Sequence, residues 1–148
     1  NLEVTILAYS PLAQGLLTGK YTVGSDLKPS GARRLDPKFS KNGLQKIEPV
    51  IATLQSIGET HDKTVVQVAL NWLISKGGVV PIPGAKNAKQ AKQNAGALGW
   101  NINDTERAKV TLEIKTTLEI RVYKQSVQAD ICSHGHSALA RDSQYNLR

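Results

Sequence analysis

Methionine is absent from this 148-residue chain, and cysteine and phenylalanine occur once each. Cys132 stands alone, so an internal disulfide is excluded, which fits a reducing compartment or a plastid-like one. Long apolar runs are missing too. The longest candidate, Val65 to Ile74, is interrupted by Gln67 and Asn71. It falls short of the roughly 20 apolar residues a membrane helix needs. No secretory signal is visible at the start. With Asn1 first and no methionine, the chain reads as a piece of a longer product, and a targeting segment would lie outside it.

Acids are scarce relative to bases: 12 Asp/Glu against 19 Lys/Arg, a formal net charge of +7. The excess belongs to residues 1–100, with twelve bases against six acids, whereas residues 101–148 carry seven against six. Such a balance suits nucleic acid, an anionic membrane surface or a phosphorylated small molecule, besides being an ordinary solvated face. Aromatics make up only 5%, and no nucleic-acid recognition module is visible, so nucleic acid is not the expected partner.

What is present is an α/β pattern. Val4 to Tyr9 is a short apolar run with β-branched members, closed by the turn-forming Ser10-Pro11. It predicts a strand buried on both faces, as in a parallel sheet. Residues 22–43 are rich in Gly, Pro, Ser, Asp and Lys and predict a long loop. Leu44, Ile47, Ile51, Leu54 and Ile57 recur at helical spacing, with Pro49 assigned to a first turn or a kink and Gly58 to the stop. A second helix is predicted from about Thr64 to Lys76, with Val65, Val68, Ala69, Trp72 and Leu73 on its apolar face and Gly77-Gly78 as its stop. Val79 to Ile82 predicts a second strand. Ala88 to Leu98 predicts a small helix with Ala91, Ala95 and Leu98 on one side. Strand, helices, strand and helix in that order are βα units. Further on, Val110, Leu112 and Ile114, then Leu118, Ile120 and Val122, alternate with polar residues, which is strand periodicity. Residues 124–148 show no sustained period and read as disordered or loosely attached.

Two stretches carry candidate chemistry. In "PIPGAKNAKQAKQN", a strand ends at a glycine and a helix begins at Asn87, its expected N-cap. A helix N-terminus offers unpaired N–H groups and partial positive charge to an anion. Lys86, Lys89 and Lys92 add full charges, and no acid lies between 84 and 94. Gln90, Gln93 and Asn94 supply amides for a base edge or a phosphate. An ordinary strand-to-helix loop accounts for the same residues equally well. The other stretch, "SPLAQGLLTGK", has Gly15 and Gly19 for a tight path, the Ser10 hydroxyl at a strand end, and Lys20. It fits neither a Walker loop nor a dinucleotide glycine fingerprint. In a (β/α)8 barrel, however, both stretches would leave C-terminal strand ends, and the last two such loops commonly hold a phosphate.

Taken together, "AYSPLAQGLLTGKY", "VVQVALNWLISKG" and "VVPIPGAKNAKQAKQNAGALGW" resemble the C-terminal part of an aldo-keto reductase of the plant and cyanobacterial, NADP-dependent type. The resemblance covers about residues 1–104. It implies a partial TIM (β/α)8 barrel, made of the last two βα units, with a divergent C-terminal tail over 105–148. It implies NADP(H) as cofactor and a small carbonyl compound as the parent enzyme's substrate. By position, Ser10, Pro11, Leu12, Ala13 and Gln14 would run along the cofactor's pyrophosphate, and Tyr9 would stack on its nicotinamide. Lys20 would reach its phosphates. Arg34, or its neighbour Arg33, matches a loop arginine that clasps the cofactor. Gly84, Lys86 and Gln90 would hold the 2′-phosphate end, and Asn94 would meet adenine. Gln93 stands where many relatives carry Glu. Lys86 favours NADPH over NADH, being a point charge opposite an extra phosphate.

The family's catalytic Asp, Tyr, Lys and His would all lie upstream of these residues, so no catalytic residue and no metal ligand is assigned here. Tyr21, Tyr123 and Tyr145 lie outside the family's tyrosine motif. His61 is read as a solvent-exposed residue flanking a helix. Cys132, His134 and His136 lack a fourth zinc ligand at usable spacing. Asn103-Asp104-Thr105 reads as a helix cap rather than a glycosylation acceptor, and the sequence departs from the family's pattern just after it. An altered reading frame, a retained intron or a faulty gene model is favoured as a class over a genuine new tail. With those catalytic residues upstream, the chain alone is expected to be inactive. Two βα units cannot close a barrel and leave strand edges and apolar helix faces exposed, so it is also expected to be prone to aggregate or partly unfolded. The alternative function is a non-catalytic nucleotide-sensing or interaction subunit. The compartment, plastid or cytoplasm, follows only from the resemblance, and the oligomeric state is undetermined.

Overall fold

Two short strands, β1 (Ile6–Tyr9) and β2 (Val79–Ile82), pair in parallel with Ile6 opposite Val79 and Tyr9 opposite Ile82. A parallel pair needs a crossover connection, and here residues 10–78 supply it. The computed structural model describes residues 4–27 and 29–117. Between the strands lie 3-10 segments at Ala13–Thr18, Gly31–Leu35 and Pro37–Phe39, then helices α1 (Lys41–His61) and α2 (Val65–Ile74). After β2 come α3 (Ala88–Ala95) and α4 (Asp104–Thr117). The segment expected as one long loop therefore contains two 3-10 turns.

The start of α1 is fixed by Ser40, whose hydroxyl accepts from the Gly43 N–H at 3.1 Å. Pro49 sits inside the helix on its exposed side, where water can serve the carbonyl that loses its partner. Gly58 does not end the helix. It is buried one turn before the end, and the returning chain passes so close that a side chain there would strike the Lys63 carbonyl. The stop comes at Asp62, which takes the left-handed conformation usual for glycine.

Thr64 opens α2 with a reciprocal cap. Its hydroxyl accepts from the Gln67 N–H, and the Gln67 side chain accepts from the Thr64 N–H at 2.9 Å. Gly77 and Gly78, both at positive φ, turn the chain from α2 into β2. The main core gathers Ile47, Val50, Ile51, Leu54 and Ile57 of α1, Val68 and Ala69 of α2, and Ile102 and Val110. Val66, Leu70 and Ala97 form a smaller core on the other side of α2. Asn71 is buried between the layers. Its Nδ2 donates to the carbonyls of Ala97 (3.0 Å) and Trp100 (2.9 Å), and its Oδ1 accepts from Ile102 N–H (3.0 Å). Three bonds satisfy that amide, as burial of a polar group requires.

Besides the Gly58 stop, three further expectations about the elements are corrected. Residues 110–117 are helical, not extended, because Val110 and Ile114 one turn apart both meet the main core while Leu112 stays exposed. The other alternating residues, 118–122, lie outside the described residues, as do Tyr123, Tyr145, Cys132, His134 and His136. α3 ends at Ala95, and its partly covered side is Gln90, Gln93 and Asn94; Ala91, Ala95 and Leu98 are exposed, and the buried alanine is Ala97, beyond the helix end. Finally, β1 is not buried: Leu7 and Tyr9 are 64% and 80% exposed.

Candidate functional site

Parallel pairing in register sends both chains out of the sheet at the same end. Ser10 follows Tyr9, Pro83 follows Ile82, and those two residues are partners. The two stretches that carry the candidate chemistry thus start side by side.

The first stretch is held in an unusual backbone. Ser10, Ala13 and Gln14 have φ of 49°, 47° and 58°, and Gly15 follows at 98°. Left-handed residues other than glycine carry strain of about 1 kcal/mol or more and persist only where the surroundings hold them. The holding contacts are specific. Ala13 N–H donates to Ser10 O and Gly15 N–H to Leu12 O, each at 2.9 Å. The Thr18 hydroxyl donates to Gly15 O at 2.6 Å. Leu16 is buried, and Leu12, Ala13 and Leu17 pack against the main core. Above the turn, Arg33 Nη1 donates both to Gln14 O and to the Tyr21 hydroxyl, at 3.2 Å each. Tyr21 is fixed in turn by an edge-on contact with buried Phe39, centroids 5.2 Å apart.

That pattern separates the two arginines that sequence left open. Arg33 is committed to the protein's own loop. Arg34 is exposed, and so is Lys20. The described ion pairs are His61–Glu106 and Arg107–Asp104, so Lys20, Arg34 and Lys86 enter none of them.

The second stretch is folded back on α3 by side chains. Asn87 caps the helix, its Oδ1 accepting from Gln90 N–H at 3.0 Å. Gln90 Oε1 accepts from Lys86 N–H at 2.7 Å, and Asn94 Nδ2 donates to Gly84 O at 3.3 Å. The two amides therefore shape the loop as well as facing it, and the Gln90 amide nitrogen is left for other partners. Gly84 has open space around it. The Lys86 side chain stands exposed at the α3 start, where helix N–H groups also favour an anion. Gln93 Nε2 reaches Thr64 Oγ1 at 3.4 Å and tethers α3 to the α2 cap.

A pocket of about 490 Å³ lies beside these elements, lined by Thr18, Gly58, Glu59, Asp62, Thr64 and Gln93 among others. It brings the end of the first stretch to the middle of α3. Thr18 and Thr64 were not singled out in sequence; the Thr64-x-x-Gln67 spacing is the readable signal for the second.

His61 is not a free flanking residue. Its Nε2 lies 3.0 and 2.9 Å from the two Glu106 carboxylate oxygens, and its ring packs on Trp100. Glu106 also accepts from Asn103 N–H while Asn103 Oδ1 accepts from Glu106 N–H, which makes Asn103 the α4 cap. These residues join α1 to α4 and do not face the strand ends' loops in any described contact.

Residues 1–112 match the Aldo/keto reductase family. The chain belongs to that family. It is 44% identical over 111 residues to the aldo-keto reductase str7 of Strobilurus tenacellus, covering 74% of this chain and 33% of that protein. It is 40% identical to the chloroplastic pyridoxal reductase of Arabidopsis thaliana (78% and 30% covered). It is 33% identical to the aldo-keto reductase yakc [NADP(+)] of Schizosaccharomyces pombe (69% and 30%). A glycerol dehydrogenase structure from Gluconobacter oxydans superposes with a TM-score of 0.68 at 28% identity, over 78% of this chain and 36% of that one. The chain spans about a third of the length of these curated relatives.

Proposed function

We propose that residues 1–117 form the cofactor-holding end of an NADPH-dependent aldo-keto reductase, the last two βα units of a (β/α)8 barrel. One observation carries the reading: the in-register parallel pair sends the Ser10–Lys20 and Pro83–Asn87 stretches out at one end of the sheet. The donor set fits a dinucleotide phosphate. Exposed Lys20, Arg34 and Lys86 carry positive charge outside the described ion pairs, and Gly84 leaves its backbone open to approach.

In this reading Ser10 to Gln14 run along the pyrophosphate, with Lys20 and Arg34 neutralising it. Tyr9, 80% exposed at the strand end, presents a ring face for the nicotinamide. Lys86 and the Gln90 amide nitrogen hold the 2′-phosphate, and Asn94 and Gln93 border the adenine. Arg33 acts at one remove, holding the Gln14 carbonyl so that the strained turn keeps its shape. NADPH, when bound, supplies the hydride for reduction of a small aldehyde or ketone. The acid that protonates the carbonyl oxygen is not among these residues, and the chain alone does not turn over. The name of the pyridoxal reductase relative supports an aldehyde as substrate class.

The test is cofactor binding by fluorescence titration. The chain should bind NADPH more tightly than NADH, and Lys86→Ala should erase about tenfold of that preference, roughly 1.4 kcal/mol. Equal affinity for both cofactors, or turnover of an aldehyde by the chain alone, would overturn the reading.

A further inference from the structure

Two side chains roof the turn that leaves β1. A Cβ added at Gly15 would stand 3.6 Å from the Tyr21 ring and 3.8 Å from Arg33 Nη1, so both groups lie against the turn at ordinary contact distance. Tyr21 is tied to the helical side of the molecule. Its ring meets buried Phe39 edge-on, and Phe39 belongs to the main core and directly precedes Ser40, the α1 cap. From that anchor the Tyr21 hydroxyl accepts from Arg33 Nη1, which also donates to Gln14 O, each at 3.2 Å. A continuous path of contacts thus runs from the core through Phe39, Tyr21 and Arg33 to one backbone carbonyl.

An arginine terminal nitrogen carries two N–H donors, which match these two acceptors. A guanidinium bonded at one point can swing about that bond, and a second acceptor on a braced ring fixes its orientation. The carbonyl it holds is exposed and sits between Gln14 and Gly15, both at positive φ, where backbone strain makes the turn depend on its holding contacts. A carbonyl oxygen beside a phosphate is repelled by it, and a guanidinium on that oxygen offsets the repulsion. The Tyr21 hydroxyl therefore bears on an anion that it never touches.

We propose that Tyr21 is a positioning residue for the cofactor, acting through Arg33 on the Gln14 carbonyl to fix the turn that follows the pyrophosphate. This role rests on the NADPH reading above. Tyr21 meets no reacting atom, and its hydroxyl serves as an acceptor for Arg33 rather than as an acid.

The experiment titrates the full chain and its variants with NADPH and with NADH, followed by cofactor fluorescence. Tyr21→Phe removes the hydroxyl and keeps a ring to meet Phe39. It should weaken both cofactors by one common factor of about fivefold, because the pyrophosphate is common to them. Arg33→Gln should weaken both by about tenfold. In the Arg33→Gln background Tyr21→Phe should cost nothing more, since its route to the turn is gone. A ring that only supported the fold would cost the same in either background. Wild-type affinity in Tyr21→Phe would overturn the proposal. So would a fivefold loss that persists beside Arg33→Gln, or a loss confined to NADPH. An unsubstituted chain that binds neither cofactor would overturn the NADPH reading itself, and the proposal with it.

Discussion

The helix Val65–Ile74 and the strands Ile6–Tyr9 and Val79–Ile82 are written in the same apolar alphabet and meet opposite fates. Val66, Val68, Ala69 and Leu70 are buried, whereas Ile6, Leu7, Tyr9, Val80 and Ile82 are exposed. The helix sits between α1 on one side and the α3 end on the other, so both of its faces find partners. The two-stranded sheet packs on α2 through part of β2 and otherwise faces water. Apolar composition states what a segment would gain by being covered. It does not state that the cover lies within these residues. Burial of a leucine side chain is worth about 2 kcal/mol, and here the helices collect that gain while the strands largely do not.

The sharpest way to break the comparison is to remove the polar pin of the helical side. Asn71→Ala strands two buried carbonyls and an N–H, each worth about 1–3 kcal/mol. Urea unfolding should show a loss of about 4 kcal/mol, and a loss below about 1 kcal/mol would mean the layers do not depend on it. Next comes a matched pair of truncations. Leu54→Ala, at a side chain 1% exposed, should lower stability by about 3 kcal/mol, while Leu7→Ala on the strand should change it by less than about 0.5 kcal/mol. Equal effects would erase the distinction between the two regions. Gly58→Ala should destabilise by about 2 kcal/mol, since the new methyl meets the Lys63 backbone rather than a side chain that can swing away. A thermal melt reads it, and an unchanged midpoint would show that the α1 end can shift. A small effect of opposite sign is expected at the strand-exit loop. Gln14→Gly relieves a left-handed residue and keeps the carbonyl that Arg33 holds, so it should stabilise by up to about 1 kcal/mol. Destabilisation there would show that the Gln14 side chain supports the loop.

Much of this molecule is legible in its sequence. The stripe of Ile47, Ile51, Leu54 and Ile57 predicts α1 because residues at that spacing share a helix face. Asn87 before "AKQAKQN" predicts a capped α3, and Gly77-Gly78 predicts the stop after α2. The three quoted segments carry the family resemblance, and residues 1–112 match that family. The failures have local causes. Alternation at 110–114 suggested a strand, yet Asn103 and Glu106 had already capped a helix there. The alanines of α3 looked like its packed face, but its neighbours offered polar partners: the Gly84 carbonyl takes Asn94 and the Thr64 hydroxyl takes Gln93.

By itself the sequence determined helices α1 to α3, the Asn87 and Asn103 caps, the parallel order of strands and the family, because each rests on contacts within a few residues or on a long ordered match. Tertiary structure alone decided that Arg33 holds the Gln14 carbonyl while Arg34 is exposed, that His61 pairs with Glu106, and that Asn71 bonds three backbone groups. Those partners lie 19 to 45 residues apart. No spacing rule reaches that far, since only the packing of α2 and α4 against α1 and the turn above β1 brings them within hydrogen-bond distance.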